Sequence, residues 1–168
     1  VQGEAFETIK AELAGLGYVE GQNVVFERRF ADGDAARLQG LAADLVRHKV
    51  DIIIAQTTTA ALAAKRVTDS IPIVFTSSGD AVGSGLVDSL ARPGGNATGN
   101  SFLGAELAVK QLELVRELLP AARRVALVGN ATLPPEPLFF GHMQEPARRL
   151  GFETHFVDAR SPEGFEPA

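Results

Sequence analysis

Three short polar clusters, two of them directly after an apolar run, are the places where this chain could do chemistry. Gln56-Thr57-Thr58-Thr59 follows Val50 to Ala55, Thr76-Ser77-Ser78-Gly79-Asp80 follows Ile71 to Phe75, and Asn100-Ser101-Phe102 follows a Pro/Gly-rich turn. Asn130 comes shortly after a further apolar run, Arg124 to Val128. Short hydroxyls and amides beside free backbone N–H groups can donate to a carboxylate. The N-terminus of a following helix adds partial positive charge to the same spot. Asp80 is the acid within these clusters and could receive an ammonium group. The same residues also have a simpler use, because Thr57 or Thr58 can cap the helix that follows and Asp80 can cap the turn before Val82. Both readings stay open on the residues alone.

Other chemistries find little support. His48 lies in a basic helix end, His142 and His155 lie far along the chain, and none has the spacing or acid partner of a metal site. With no cysteine there is neither a disulfide nor a thiol nucleophile. No GxSxG elbow or P-loop occurs. Gly83-Ser84-Gly85 begins like a dinucleotide loop, but Asp88 stands where the third glycine belongs, so a Rossmann-type enzyme lacks both cofactor loop and catalytic pair. Asn96-Ala97-Thr98 and Asn130-Ala131-Thr132 match the glycosylation sequon, a pattern short enough to arise by chance. A net charge of -5 with pI near 5.2 argues against nucleic acid as a partner. No apolar run reaches the roughly 18 to 20 residues of a membrane helix. Small molecules or proteins are the expected partners.

The elements that must position these clusters alternate. Phe6, Ile9, Leu13 and Leu16 predict an amphipathic helix, and residues 23–30 predict a strand. Asp32-Gly33-Asp34 reads as a turn and cap before a helix marked by Leu38, Leu41, Leu45 and Val46. Residues 50–55 read as a strand covered on both faces, 57–67 as a helix, 71–75 as a second buried strand, and 79–90 as holding a short helix. "ARPGGNATGNS" (91–101) is a break with a short strand near 98–100. Beyond it Leu107, Gln111, Leu114 and Leu118 predict the buried face of a helix, with Glu113, Arg116 and Glu117 opposite and Pro120 as its stop. Residues 124–128, 137–150 and 151–157 read as strand, helix and strand. This alternation predicts an α/β protein with parallel, doubly wound sheets. In such sheets ligands gather beyond the carboxyl ends of the strands, where the polar clusters lie. A boundary is expected within 99–104, giving a first lobe over 1–101 and the start of a second over 102–168.

Four collinear segments carry a resemblance to a known family. "LGYVEGQNVVFERRFADGD", "VDIIIAQTTTAALAAK", "IPIVFTSSGDAVGSGLV" and "LARPGGNATGNS" resemble the ABC transporter substrate-binding proteins, the group that includes tryptophan- and tyrosine-binding members. They cover most of residues 13–101, with a fainter match through "KQLELVRELLPAARRVALVGN". The resemblance implies a two-lobed, periplasmic-binding-protein-like type I fold closing on a small solute. It implies ligand loops at Gln56, Thr57, Thr58, Thr59, Thr76, Ser77, Ser78 and Asp80, and a hinge at Asn100, Ser101 and Phe102, with Phe102 near an apolar ligand face. It implies no catalysis and no cofactor, a membrane permease as partner, and a periplasmic or surface-anchored location with an export signal upstream. Family members also extend beyond both ends of this chain, so truncation at both ends is expected. Ala81 departs from the family's usual proline after the acid, which removes a fixed φ from that loop. A ligand-sensing domain of a receptor or transcriptional regulator with the same fold is the alternative.

Overall fold

A computed structural model describes residues 2–102, 104–131 and 136–160. The chain falls into two units, Val1–Phe30 and Ala31–Ala168. In the first, helix α1 (Gln2–Gly15) carries half-buried Phe6, Ile9 and Leu13. Phe6 meets Phe26 edge-on with ring centroids 5.4 Å apart, and the Arg28 guanidinium stands 4.4 Å from the Phe6 centroid. The strand expected over 23–30 is not formed. The segment makes a single bridge, Glu20 to Val24, and has no strand beside it among the described residues to share a ladder. Asn23 instead closes its loop locally, accepting from the Val19 N–H at 2.7 Å and donating to the Gly17 carbonyl at 2.8 Å.

The second unit opens as the sequence predicts. Asp34 accepts from the Ala36 N–H at 2.9 Å and caps a 3-10 turn (Ala35–Arg37) that leads into α2 (Leu38–Arg47). Strand β1 (Ile53–Ala55), helix α3 (Thr58–Lys65), strand β2 (Ile73–Ser78) and strand β3 (Ala97–Ser101) follow. The strands pair in parallel in the order β1-β2-β3. Ile53, Ala55, Ile73, Phe75 and Ala97 bury one face of this sheet with Ala61 and Ala64 of α3. Alanine at those helix positions lets α3 lie close to the strands, and burying a side chain the size of Phe75 stabilises by about 1.5–3 kcal/mol.

Two expectations about this sheet are corrected. β1 is not covered on both faces: Ile53 and Ala55 are buried, whereas Ile52 and Ile54 are exposed. The connection from β2 to β3 holds no helix in 79–90 but a run of turns. Gly85 sits at φ +75°, and the Leu86 N–H reaches back to the Ala81 carbonyl, so the chain reverses where a helix would continue. Ala81, Leu86 and Val87 of this connection are themselves buried.

Helix α4 (Gly104–Leu118), β4 (Arg124–Gly129), α5 (Glu136–Arg149) and β5 (Glu153–Asp158) complete the described chain, with β4 and β5 paired in parallel from Arg124↔Glu153 to Gly129↔Asp158. Their core is Ala108, Leu112, Met143, Ala147 and Phe152. The buried face of α4 is therefore Ala108, Leu112 and Val115, and the expected stripe of Leu107, Leu114 and Leu118 lies exposed. Two apolar stripes fit the helical period, and packing chose the one with the smaller alanine. Arg116, expected on the solvated side, is instead a brace. Its Nε donates to the Leu150 carbonyl at 2.8 Å, its Nη1 to those of Pro120 and Ala122 at 3.0 and 2.9 Å, and its guanidinium lies 4.0 Å from the Phe152 centroid.

Candidate functional site

The carboxyl ends of three adjacent parallel strands bring together residues from three separate stretches of sequence. β1 ends before Gln56, β2 ends at Ser78, and β3 ends at Ser101. Thr76, Ser77 and Ser78 are thus the last residues of a strand, not of a loop as the sequence suggests. β2 runs this far because β3 continues to pair with it across an irregularity: Phe75 faces Gly99 and Ser78 faces Ser101, so three steps along β2 match two along β3. Such a bulge twists the strand and re-aims the side chains after it.

The hydroxyls have divided roles. Thr57 has extended backbone and accepts from the Ala60 N–H at 3.1 Å, which makes it the N-cap of α3. Thr58 is 6% exposed and donates through Oγ1 to Ser78 Oγ at 3.1 Å, while Ser78 is 1% exposed. That pair ties the start of α3 to the end of β2 and forms a buried polar floor. Thr59 is half-buried, Gln56 is exposed, and the Gln56 carbonyl accepts from Thr76 Oγ1 at 3.4 Å. Ser77 is half-buried and Asn100 exposed. Ser101 Oγ accepts from the Ala81 N–H at 3.1 Å and so holds the β2–β3 connection to the end of β3. Phe102 is exposed in its side chain, and its N–H bonds to the Ser78 carbonyl at 2.9 Å. Asp80 is half-buried and accepts from the Gly83 N–H through Oδ1 at 2.7 Å. A Cβ on Gly83 would stand 2.0 Å from Asp80 Oδ2, so glycine is needed there to let the carboxylate fold over the turn.

Replacing Thr57 by alanine is expected to lower stability by about 1 kcal/mol in urea unfolding, through loss of the cap alone. An unchanged midpoint would show that the hydroxyl does something else.

Asn130 belongs to the other sheet, just past β4. There the structure adds a residue that the sequence reading passed over. Asp158, at the end of β5, accepts from the Ala131 N–H at 3.0 Å and from Arg160 Nε at 2.8 Å, placing an acid beside the turn that carries Asn130. An acid at a strand's carboxyl end was the signal that could have found it. The Arg160 hydrogen bond, and next the Ala131 N–H, hold the Asp158 carboxyl below its ordinary value of 3.8. Its folded value is the depressed one, so its contribution is present above 3.8 and is lost as pH falls through the lower, folded value. The Ala131 amide resonance should titrate with a midpoint below 3.8, and Asp158→Asn should abolish that step. A midpoint at the ordinary value would remove the carboxylate from this role.

No group of three or more acids, histidines or cysteines able to hold a metal occurs among the described residues. No helix among them is long and apolar enough to cross a membrane.

A family model described as ABC transporter substrate binding protein matches residues 3–134. The chain belongs to this family. By its description the family is one of substrate-binding proteins. The chain is 35% identical over 147 residues to a tyrosine-binding protein of Clostridioides difficile strain R20291, covering 87% of this chain and 41% of that one. Among solved structures, a conserved domain protein of Vibrio cholerae O1 biovar El Tor superposes with TM-score 0.81 at 30% identity, over 90% of this chain and 51% of that one. An ABC domain of Streptococcus pneumoniae solved in complex with L-Trp superposes with TM-score 0.78 at 24% identity, over 92% and 51%, a likeness of fold. The chain thus spans about half or less of the length of the proteins it matches. The α/β fold with parallel sheets expected from the sequence is the fold of these substrate-binding proteins.

Proposed function

We propose that this ABC substrate-binding protein binds a free amino acid or related carboxylate between two lobes, 1–101 and 102–168, and presents it to the membrane permease of an importer outside the cytoplasm. The observation that carries this reading is the meeting of Gln56–Thr59, Thr76–Asp80 and Asn100–Phe102 at the carboxyl ends of three neighbouring strands. The N-terminus of α3, with its partial positive charge and with Gln56 and Thr59 beside it, suits a carboxylate. Asp80 suits the ammonium group, since one carboxylate oxygen is engaged by Gly83 and carboxylate has acceptor capacity to spare. Thr58 and Ser78 act from beneath as a pair that keeps the floor rigid. Exposed Phe102, next to the hinge, offers a ring to an aromatic ligand side chain, and Asn130 would contribute from the second lobe. The family's tyrosine-binding relative makes L-tyrosine the first ligand to try.

Closure would follow from ligand binding the closed arrangement better than the open one. The Phe102 N–H on the Ser78 carbonyl and the Gly104 N–H on the Gly79 carbonyl, at 2.9 and 3.0 Å, join the hinge strand directly to the ligand loop. Isothermal titration against L-tyrosine and a panel of amino and organic acids tests the reading. Saturable binding that weakens about a hundredfold or more in Asp80→Asn for amino acids is the expected result, an ion pair removed from a shielded site. A folded protein that binds none of the panel would sink it.

A further inference from the structure

We infer that Lys65 is a positioning residue for the Asp80 loop and thereby sets the preference for ligands that carry an ammonium group. This rests on the role proposed above for Asp80. Helix α3 starts at the site with Thr57 and Thr58 and ends at Lys65, whose ammonium crosses to the β2–β3 connection and donates to the Gly85 carbonyl at 2.8 Å and the Leu86 carbonyl at 2.9 Å. The connection has no helix or strand of its own, so its shape depends on such ties. At its start the Ala81 N–H is held by Ser101 Oγ, and the Leu86 and Val87 N–H groups both return to the Ala81 carbonyl, at 2.9 and 3.1 Å. Lys65 fixes the far side of that same closed turn. Asp80 immediately precedes the first anchor, and its carboxylate is folded onto Gly83, which lies between the two. Releasing the Lys65 anchor frees Gly85 and Leu86, then the turn closed on Ala81, and with it the residue next to Asp80. Charge-assisted bonds to two carbonyls make this anchor stronger than a neutral tie.

The consequence is specific to the ligand's ammonium. Lys65 lies at the opposite end of α3 from Thr57 and Thr58, so a ligand's carboxylate at the helix start should not sense its removal. The test titrates L-tyrosine and its deaminated analogue, 3-(4-hydroxyphenyl)propanoate, against the unaltered protein and against Lys65→Met, Lys65→Arg and Asp80→Asn, with a melting curve for each. Lys65→Met should weaken L-tyrosine about tenfold while leaving the analogue's affinity unchanged, and Lys65→Arg should restore most of the loss because guanidinium can serve two carbonyls. Equal weakening of both ligands, or of neither, overturns the inference while leaving the Asp80 reading intact, provided Asp80→Asn separates the two ligands. If Asp80→Asn does not separate them, or the unaltered protein binds no L-tyrosine, the Asp80 reading fails and this inference with it. Should Lys65→Met give no cooperative melt, Lys65→Gln, which keeps one donor, is compared with Lys65→Arg on the same two ligands. Discrimination between amine and analogue must then be weaker in the Gln variant than in the Arg variant for the inference to stand.

Discussion

Gly99→Ala should leave the protein unfolded or destabilised by about 3 kcal/mol or more, an effect seen for few single substitutions. A Cβ at this position would lie 1.9 Å from the Phe75 carbonyl oxygen and 2.7 Å from its ring, with φ at +156°. The nearest atom is backbone in the middle of a paired strand, so no rotamer change can relieve the contact. The strands would have to separate where the sheet irregularity sits, between Phe75 and Ser78. That irregularity sets how Thr76, Ser77 and Ser78 reach the strand end, so the site would be lost together with the fold. Chemical unfolding of the purified variant measures this. Wild-type stability would mean that β2 and β3 do not approach as described.

The second large effect is expected at Phe75 itself. Phe75→Ala removes a ring that is 2% exposed at the centre of the first sheet's core, against Ile53, Ile73 and the alanines of α3. Deletions of this size cost about 3–5 kcal/mol, from lost transfer energy and from the cavity that rigid neighbours cannot fill. Against a total stability of about 5–15 kcal/mol for a domain, the loss is a large fraction. The two substitutions together make a sharper test than either alone. Had the ring been the obstacle at Gly99, truncating Phe75 would rescue Gly99→Ala. Because the closest approach is to the carbonyl, the double variant should be no more stable than Gly99→Ala. Rescue in the double variant would move the obstacle from backbone to side chain.

Helix α3 and strand β1 were legible in sequence because each carries its own signal. Thr57 before an alanine run marks a cap and a helix, and a short β-branched run marks a strand. The polar clusters were legible as a group, since each lies at or just beyond the end of a strand and parallel strands point their carboxyl ends the same way. Their division of labour was not. Which threonine caps and which is buried depends on the rotation of α3 against β2, and Ser78 lies 20 residues from Thr58 in the chain. The helix expected within 79–90 failed for a local reason, Gly85 at positive φ, reinforced by a remote one, the reach of Lys65 across to that turn.

Apart from residues 23–30 and 79–90, the sequence by itself determined the alternation of strands and helices, and it also determined the family and the three stretches that converge, because these follow from periodicity, turn chemistry and collinear motifs. Tertiary structure alone decided that β2 extends through Ser78 and that residues 23–30 do not form a strand, since a strand exists only where a neighbour accepts its hydrogen bonds. It also decided that α4 buries Ala108, Leu112 and Val115 in place of Leu107, Leu114 and Leu118, and that Arg116 braces the second core. In both cases the helical period allowed either face, and only the shape of the surface opposite could choose between them.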